Sequence, residues 1–360
     1  MKEGKTMQQN ITILLTGAGA PGAPGIIRCY RNVKERNIRI IGVDMNQNAA
    51  GKVLVDKFYV APKASSSDFI PKILEICEKE KVDVVVPIVT KELEKFAKHK
   101  EEFEGKGVKV SVLDYEQLAI VNDKGKLLDA IAENGLPTPR YEMVDTPEQM
   151  FEAVYRMGYP ESPVCVKVTD GNGSRGVRMV DLPENDYERF FNQKPDSSFI
   201  SYDYLKKIFT DKQIPKMMVM EFLPGDEYSV DVLADEKGIR AMLCRRGTRV
   251  VSSIQVECVV ERNEKVEKLC TDVVDALKLV GQFGFDIKCN AKGEPSIIEI
   301  NPRLTAGIVA CAAAGCNLPY MELLRTLGEE LPKYDVKYGT VMTRRWKEEF
   351  IAPNGSSIEW

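Results

Sequence analysis

Residues 284–303 read "GFDIKCNAKGEPSIIEINPR" and carry the most specific pattern in the chain. The runs "FDIK" and "IIEIN" predict two antiparallel strands joined by the turn "NAKGEP". Side chains alternate along a strand, so Glu299 and Asn301 share one face while the neighbouring isoleucines, Ile298 and Ile300, face the core. Asp286 lies between two apolar residues and therefore also faces away from their core.

Three oxygen-bearing side chains on one patch predict a site for a hard cation, Mg²⁺ or Mn²⁺ carried in with a nucleotide. Asp286, Glu299 and Asn301 are the predicted ligands. The alternative is a solvated sheet face. It fits poorly, because the "NPR" turn adds a further cation, Arg303, at the same place.

A second pattern, "VCVKVTDGNGSRGVRMV" over residues 164–180, places Lys167 at the centre of an apolar strand. A glycine-rich hairpin with Arg175 follows at once. Small residues let backbone N–H groups approach phosphate oxygens, and the two cations neutralise charge, so the pattern suits a polyphosphate. A plain β-hairpin whose lysine extends to the surface is the alternative when this stretch is taken alone.

Between these patterns lies "VMEFLPGDEYSVDV", residues 219–232. Glu221, Phe222 and Leu223 close one strand, and Glu227 opens the next. An apolar-edged backbone can contact an adenine ring, and a nearby acid can bind ribose hydroxyls. Taken alone, this stretch is better explained as a hairpin.

The predicted secondary structure also changes along the chain. Residues 11 to about 118 alternate apolar strands with amphipathic helices, which predicts a Rossmann-like parallel sheet covered on both faces. Short alternating strands with glycine turns follow, which predicts antiparallel α+β structure. The predicted domains are residues 1–120, 121–225 and 226–360.

The first strand runs into "GAGAPGAPG", residues 17–25, where Gly17, Gly19 and Gly22 fit the spacing G-x-G-x-x-G. With Asp44 after the next strand, this matches a dinucleotide-binding fingerprint. Against NAD, no second mononucleotide half follows and two prolines crowd the turn. We expect this loop to form one wall of an acceptor-substrate site, because glycine N–H groups at a helix N-terminus favour an anion such as a carboxylate. A tight strand-to-helix connection without a ligand is the alternative.

Composition narrows the classes of function. A net charge of −4 argues against a nucleic-acid binder, and no apolar run approaches the length of a membrane span. Nine cysteines without a C-x-x-C pair predict reduced core thiols in a cytoplasmic protein. The single histidine, His99, lies in a charged helix, so chemistry must use carboxylates, lysines, arginines and backbone amides.

In combination, these patterns resemble the ATP-grasp superfamily, most closely one synthetase unit of the carbamoyl phosphate synthase large subunit. The resemblance covers about residues 11–345, including the N-terminal α/β domain, and implies a two-part ATP-grasp fold after it. It implies that Lys124, in "NDKGK", and Lys167 hold ATP phosphates. The loop residues Gly173, Ser174, Arg175 and Gly176 would close over those phosphates.

By the same resemblance, Glu221 and the backbone of Phe222–Leu223 meet adenine, and Glu227 meets ribose. Asp286, Glu299 and Asn301 ligate Mg²⁺, with Arg303 near the transferring phosphoryl group. Arg245 and Arg246, in "LCRRGTR", steady an acyl phosphate. The chain departs from the family at Asp286, where the synthetase usually has a glutamine.

Carbamoyl phosphate synthesis needs two such units, and this chain has one. The sequence therefore predicts a ligase that phosphorylates a small-molecule carboxylate with ATP and couples it to an amine. An NAD-dependent oxidoreductase and a non-catalytic ATP-binding module stay open. No nucleic-acid or membrane partner is expected, and a homodimer is compatible with this class.

Overall fold

The computed structural model describes residues 9–171, 175–192, 194, 197–251 and 254–358. The strands are β1 (Ile11–Thr16), β2 (Ile38–Asp44), β3 (Lys57–Val60), β4 (Val84–Val86), β5 (Lys109–Val110), β6 (Tyr141–Val144), β7 (Val164–Val168), β8 (Val177–Asp181), β9 (Phe199–Ser201), β10 (Met217–Glu221), β11 (Glu227–Asp235), β12 (Gly238–Val251), β13 (Ile254–Glu261), β14 (Gly281–Cys289), β15 (Pro295–Asn301), β16 (Val341–Thr343), β17 (Phe350–Ile351) and β18 (Ser357–Ile358).

The helices are α1 (Ala23–Arg31), α2 (Phe69–Glu80), α3 (Thr90–Lys98), α4 (Lys100–Glu104), α5 (Tyr115–Val121), α6 (Lys124–Glu133), α7 (Pro147–Arg156), α8 (Glu184–Asn192), α9 (Tyr202–Phe209), α10 (Glu264–Leu277), α11 (Val309–Ala313) and α12 (Leu318–Leu327), with a 3₁₀ turn at Ala50–Val53. Contacts divide the chain into two compact units. The first unit comprises residues through Ala119, Tyr228–Phe285, and the chain from Ile300 onward; the second comprises Ile120–Glu227 and Asp286–Glu299.

The first unit begins with a five-stranded parallel sheet in the order β3-β2-β1-β4-β5. Its strands are rich in Ile and Val, which suits strands buried on both faces. The chain moves outward from β1 to β2 and β3, then returns to place β4 on the other side of β1. That reversal is the point at which open α/β sheets bind ligands, just beyond the carboxyl ends of the strands.

A six-stranded sheet follows in the order β15-β14-β11-β12-β13-β16. The long strand β12 pairs antiparallel with β13, and β13 pairs antiparallel with β16. Buried side chains of β11, β12 and β13 belong to the same apolar cluster as those of β1 and α1, and among them are Leu233, Leu243 and Val260.

The second unit holds a five-stranded sheet in the order β6-β10-β7-β8-β9. Its pairs are antiparallel except β8 with β9, which is parallel. Met150 and Val154 of α7 pack on one face of this sheet together with Val166 and Val219. Helix α7 begins where Thr146 accepts a hydrogen bond from the Gln149 N–H and Pro147 occupies the first turn.

The predicted order of a parallel sheet followed by antiparallel sheets is confirmed. One helix differs from its prediction: the charged stretch after β4 breaks at His99, between α3 and α4, and His99 Nδ1 lies 2.9 Å from the Lys95 carbonyl oxygen. Within the described residues, no helix is long and apolar enough to cross a membrane. The division into three domains stays a prediction.

Candidate functional site

Lys124 links three segments of the second unit. It is the first residue of α6, where Asp123 accepts hydrogen bonds from the N–H groups of Gly125 (2.9 Å) and Lys126 (3.1 Å). Its ammonium group lies 3.0 Å from Glu299 Oε2 and donates to the Gly171 carbonyl at 2.7 Å. The side chain therefore joins the start of α6 to β15 and to the turn after β7.

Lys167 of β7 is a buried cation, with 4 % of its surface exposed. Its ammonium group approaches Met220 Sδ at 3.6 Å. Burial lowers the pKa of Lys167, and the charge of Lys124 lowers it further, while Cys165 and Glu299 act in the opposite direction. A buried ammonium group near a second one is costly, and a bound anion would relieve that cost.

Asp286 and Glu299 bring two carboxyl groups within hydrogen-bonding reach of each other. Burial raises the pKa of Glu299, but the charge of Lys124 and the hydrogen bonds from Lys124 and Asp286 outweigh it, so the pKa is lowered overall. Asp286 is half-buried between Phe285 and Ile287, which are fully buried, as the alternation predicted.

Two adjacent carboxyl groups suit a divalent cation that takes its remaining ligands from water and phosphate. Among the described residues, no group of three or more His, Cys, Asp or Glu side chains could hold a metal ion by itself.

The hairpin between β7 and β8 depends on glycine at both of its ends. A Cβ at Gly171 would collide with Val168 Cγ2 and with the Arg175 carbonyl oxygen, 2.7 Å away. Gly176 has φ +72°, and its carbonyl accepts from the Val168 N–H at 3.0 Å. Arg175 is exposed. Gly173 and Ser174, predicted to contact phosphates, lie outside the described residues.

The acids predicted to contact adenine and ribose both have cationic partners. Glu221 Oε2 lies 3.0 Å from Arg140 Nε, and Glu221 Oε1 accepts from the Arg140 backbone N–H at 2.8 Å. Glu227 lies 3.5 Å from Lys288 Nζ.

Phe222 is half-buried and Leu223 is buried directly after β10. Sequence reasoning missed Arg140, because no local pattern distinguishes it from other exposed arginines.

In the first unit, Arg303 organises the turn after β15. It donates from Nη2 to the side-chain oxygen of Asn301 (3.2 Å) and from Nε to Thr90 Oγ1 (3.1 Å). Asn301, a predicted metal ligand, thus already has a cationic neighbour. Arg246 is half-buried and donates from Nε to Glu261 at 3.0 Å.

Arg245 was predicted beside Arg246 to steady an acyl phosphate. The structure instead encloses its guanidinium completely, in an ion pair with Asp231 at 2.8 Å. Its Nη1 donates to Gln255 Oε1 at 2.6 Å and its Nη2 to Thr305 Oγ1 at 3.2 Å. Its described surroundings are those of a structural side chain.

The glycine loop after β1 is filled by protein atoms. A Cβ at Gly17 would collide with Val89, and one at Gly22 would lie 2.8 Å from the Ala306 Cα. The Gly19 N–H donates to Asp44 Oδ2 at 2.7 Å, and the Asn46 N–H donates to Oδ1 at 2.8 Å. Asp44 therefore closes the loop. The Gly19 N–H, on which the expected affinity for an anion partly rested, is already used.

Glu92, in the first turn of α3, is a second group that sequence reasoning missed. Burial raises its pKa to about 7, opposed by a hydrogen bond with Thr16 and assisted by the charge of Asp44. Within the charged stretch of α3, nothing in the sequence distinguishes Glu92 from the exposed Glu94.

The nine cysteines are all buried and unbridged, as predicted. Burial raises the pKa of Cys29 and of Cys77 to about 12. These thiols are poor nucleophiles at neutral pH, because the thiolate is the reactive form.

Two family models match the chain. Residues 213–349 match a family described as ATP-grasp in the biosynthetic pathway with Ter operon. Residues 13–111 match a PylC-like N-terminal domain.

Curated relatives match over different lengths. A formate-dependent phosphoribosylglycinamide formyltransferase from Wolinella succinogenes is 26 % identical over 96 % of this chain and 84 % of its own. A carbamoyl-phosphate synthase from Methanobrevibacter smithii is 26 % identical over 56 % of this chain and 47 % of its own. A carbamoyl phosphate synthase large chain from Saccharolobus islandicus is 25 % identical over 62 % of this chain and 21 % of its own. This chain thus matches less than half of either synthase.

Solved structures share the fold at low identity. An ADP complex of N5-carboxyaminoimidazole ribonucleotide synthetase has a TM-score of 0.65 at 18 % identity, over 92 % of this chain and 79 % of its own. Biotin carboxylase from Campylobacter jejuni gives 0.66 at 16 % identity, over 90 % and 73 %. L-amino acid ligase from Bacillus licheniformis gives 0.59 at 14 % identity, over 89 % and 75 %.

Proposed function

Because this chain belongs to the ATP-grasp superfamily, we propose that it is an ADP-forming carboxylate–amine ligase. One observation carries the proposal: in the second unit, Lys124 and Lys167 lie close to the carboxyl pair Asp286–Glu299. Two cations next to two hard-oxygen ligands form a suitable environment for a metal-bound polyphosphate.

Burial of the Lys167 ammonium group costs desolvation energy, and a bound phosphate offsets that cost. Lys167 therefore supports phosphate binding. Lys124 exchanges its contact with Glu299 for a phosphate oxygen, which leaves the carboxyl pair available for the cation. Arg175 and the loop residues Gly173, Ser174 and Gly176 cover the phosphates. Glu221 with the backbone of Phe222–Leu223 binds adenine, and Glu227 binds ribose.

Asp286 and Glu299, extended along β15 by Asn301, hold Mg²⁺. When bound, Mg²⁺ neutralises charge that develops on the transferring phosphoryl group. Arg303 supplies a further positive charge toward that group, and Arg246 steadies the acyl phosphate.

The reaction has two steps. A carboxylate oxygen of the substrate attacks the terminal phosphorus of ATP, and ADP leaves with the electrons of the broken P–O bond. The amine nitrogen then attacks the carbonyl carbon, phosphate leaves, and the nitrogen loses a proton. The protein contributes positioning and charge neutralisation without a covalent nucleophile, in keeping with one histidine and nine buried thiols.

The names of the relatives favour the same substrate classes. They include a formate-dependent formyltransferase and an L-amino acid ligase, each with a carboxylate in its name. A small carboxylate or amino acid is therefore the proposed acyl donor and a small amine the acceptor. The glycine loop Gly17–Gly22 forms one wall of the acceptor site, by virtue of its position at the sheet reversal rather than the Gly19 N–H.

The test measures ADP release with Mg·ATP against panels of small carboxylates, amino acids and amines. A carboxylate labelled with ¹⁸O should transfer one label into the released phosphate. Glu299→Gln should lower kcat/KM by at least about 100-fold, the size of effect seen when a transition-state electrostatic contact is removed.

Glu294→Gln is the matched control, because Glu294 is exposed in the turn before the same strand. It should retain activity within about twofold, as surface substitutions away from a site usually do. Pyrophosphate among the products would mean adenylation and would overturn the mechanism. ATP binding without ADP release across every panel would favour the non-catalytic module.

The oxidoreductase alternative is not favoured, because Asp44 already accepts a hydrogen bond from the Gly19 N–H and the relatives named above include synthases, a synthetase and a ligase. We further propose that the protein works in the cytoplasm and that it forms a homodimer. Analytical ultracentrifugation of the purified chain tests the second.

A further inference from the structure

We propose that the buried ion pair Asp231–Arg245 is a positioning device for Arg303, acting through Thr305 and Gly307. The inference rests on the proposed function, in which Arg303 is assigned the role of neutralising charge on the transferring phosphoryl group. It assigns Arg245 to positioning, a different role from contact with substrate.

The ion pair is completely enclosed in the first unit. Asp231 is 0 % and Arg245 is 1 % exposed. Arg245 donates to Asp231 Oδ2 from Nε at 3.0 Å and from Nη2 at 2.8 Å. Strands β11 and β12 supply the two residues, so the pair is fixed in the six-stranded sheet.

Thr305 connects this pair to the turn that carries Arg303. Its hydroxyl donates to Asp231 Oδ1 at 2.6 Å and accepts from Arg245 Nη2 at 3.2 Å. Both partners of the ion pair therefore bond to one hydroxyl, two residues after Arg303. This fixes the position and the rotamer of Thr305 at once.

Gly307 gives the same turn a second contact with Arg245. A Cβ at this position would overlap the guanidinium group. The backbone of residues 305–307 therefore lies directly on the buried cation, an approach that only glycine permits.

The rest of the turn is held by independent contacts in the same unit. Arg344 donates to the Ala306 carbonyl, and Gly22 lies against the Ala306 Cα. Arg303 itself donates from Nε to Thr90 Oγ1 at 3.1 Å. The turn is thus fixed at both ends, with the ion pair at its enclosed end.

Energetics favour a geometric role for the pair. Burying two charges costs desolvation energy that their attraction only partly returns, and apolar replacements of similar volume are often neutral for stability. A pair whose hydrogen bonds converge on one functional turn is better explained by the geometry that it imposes there.

The test uses the full chain with two variants, Thr305→Val and the double variant Asp231→Leu/Arg245→Met. Thr305→Val removes both hydroxyl bonds while leaving the ion pair. Hydrogen exchange of amides in residues 301–309 should accelerate at least about tenfold in each variant, while residues 11–60 exchange as in the wild type. With a substrate from the panels, kcat should fall at least about tenfold while KM for ATP stays within about twofold.

Arg240→Met is the matched control, because Arg240 lies on the same strand, is exposed, and forms an ion pair with Asp235 at 3.6 Å. It should change neither measurement. Unchanged exchange at residues 301–309 in a folded Thr305→Val protein would overturn the proposal, as would an unchanged kcat. If the wild type releases no ADP with any substrate, the proposed ligase fails, yet the exchange measurement still decides whether the ion pair fixes the turn.

Discussion

Two glycine-rich loops each follow a buried strand, the first after β1 and the second after β7. They differ in what surrounds their glycines. The first glycine loop, residues 17–25, is filled from outside by Val89, Asp44 and Ala306. In the second, which follows β7, the described residues Gly171 and Gly176 contact residues of their own hairpin, and the Gly171 carbonyl accepts from Lys124. The first glycines make room for protein atoms, whereas those at the ends of the second let a hairpin turn tightly beside two lysines.

Glycine spacing alone therefore does not distinguish a ligand cradle from close packing. The charges around each loop do. The first loop is next to the carboxyl groups of Asp44 and Glu92, and the second is next to the ammonium groups of Lys124 and Lys167. A polyphosphate fits the second environment and is repelled by the first.

The largest expected effect tests the second loop. Lys167→Met should lower kcat/KM for ATP at least about 100-fold, or about 3 kcal/mol, because a buried charge-assisted contact to phosphate is lost. The melting temperature should stay the same or rise, since the desolvated ammonium group is removed. Steady-state ADP release and calorimetry measure the two quantities.

Lys126→Met serves as its control, because Lys126 is exposed two residues beyond Lys124 on α6. Full activity in the control and a large loss in Lys167→Met would sharpen the contrast between the loops. Wild-type ATP affinity in a folded Lys167→Met protein would mean that the second loop is not the phosphate site.

A smaller effect is expected at the first loop. Gly22→Val should lower the free energy of unfolding by about 2–3 kcal/mol. The reason is that the new side chain would clash with the backbone of Ala306, which is already in close contact with Gly22. The affinity for ATP should be unaltered. Urea unfolding and ATP titration provide the measurements.

Ala20→Val adds a comparable side chain at a half-exposed position of the same loop and should change stability by less than about 0.5 kcal/mol. The contrast would be reversed if NAD⁺ stabilised the wild type against unfolding and failed to stabilise Gly22→Val. In that case the first loop would be a dinucleotide cradle after all.

The smallest effect concerns the acidic surroundings of the first loop. The raised pKa of Glu92, about 7, means that the folded protein keeps a proton that the unfolded chain releases near pH 4.5. Stability is therefore lost as pH rises from about 4.5 to 7 and stays lost above. Glu92→Gln should remove this loss, so its stability relative to the wild type should increase across that window by about 1–3 kcal/mol.

Glu94→Gln is the control on the same helix, since Glu94 is exposed and paired with Lys98. Unfolding measured at intervals from pH 4.5 to 8 separates the two variants. Parallel pH profiles for Glu92→Gln and the wild type would show that Glu92 ionises normally beside Asp44 and Thr16.

Much of the fold follows from local pattern. β1 and β2 coincide with "ITILLT" and "IRIIGVD", because a short apolar run bounded by turn-forming residues indicates a buried strand. The break at His99 was not predictable, since the charged stretch continues with helix-forming residues on both sides. At the break, His99 Nδ1 lies 2.9 Å from the Lys95 carbonyl oxygen, a local contact that the residue types alone do not specify.

For the site, alternation predicted that Asp286 would face away from the core that buries Phe285 and Ile287, but it said nothing about partners. The contacts of Arg245 with Asp231 and Thr305, the hydrogen bond from Gly19 to Asp44 and the ion pair of Arg140 with Glu221 join residues 14 to 81 positions apart. Such pairings arise when separate strands and loops meet in the folded chain. No spacing rule within one segment contains that information, so Arg140 and Glu92 were missed.

The buried cysteines can also serve as probes of local opening in the native chain. Cys165 and Cys289 belong to the second unit and the other seven to the first, all with enclosed sulfur-bearing side chains. A thiol reagent can modify such a sulfur only during the moments when its surroundings open. The rate of labelling at each position therefore counts local openings, and mass spectrometry of the native sequence can follow both units separately without any introduced probe.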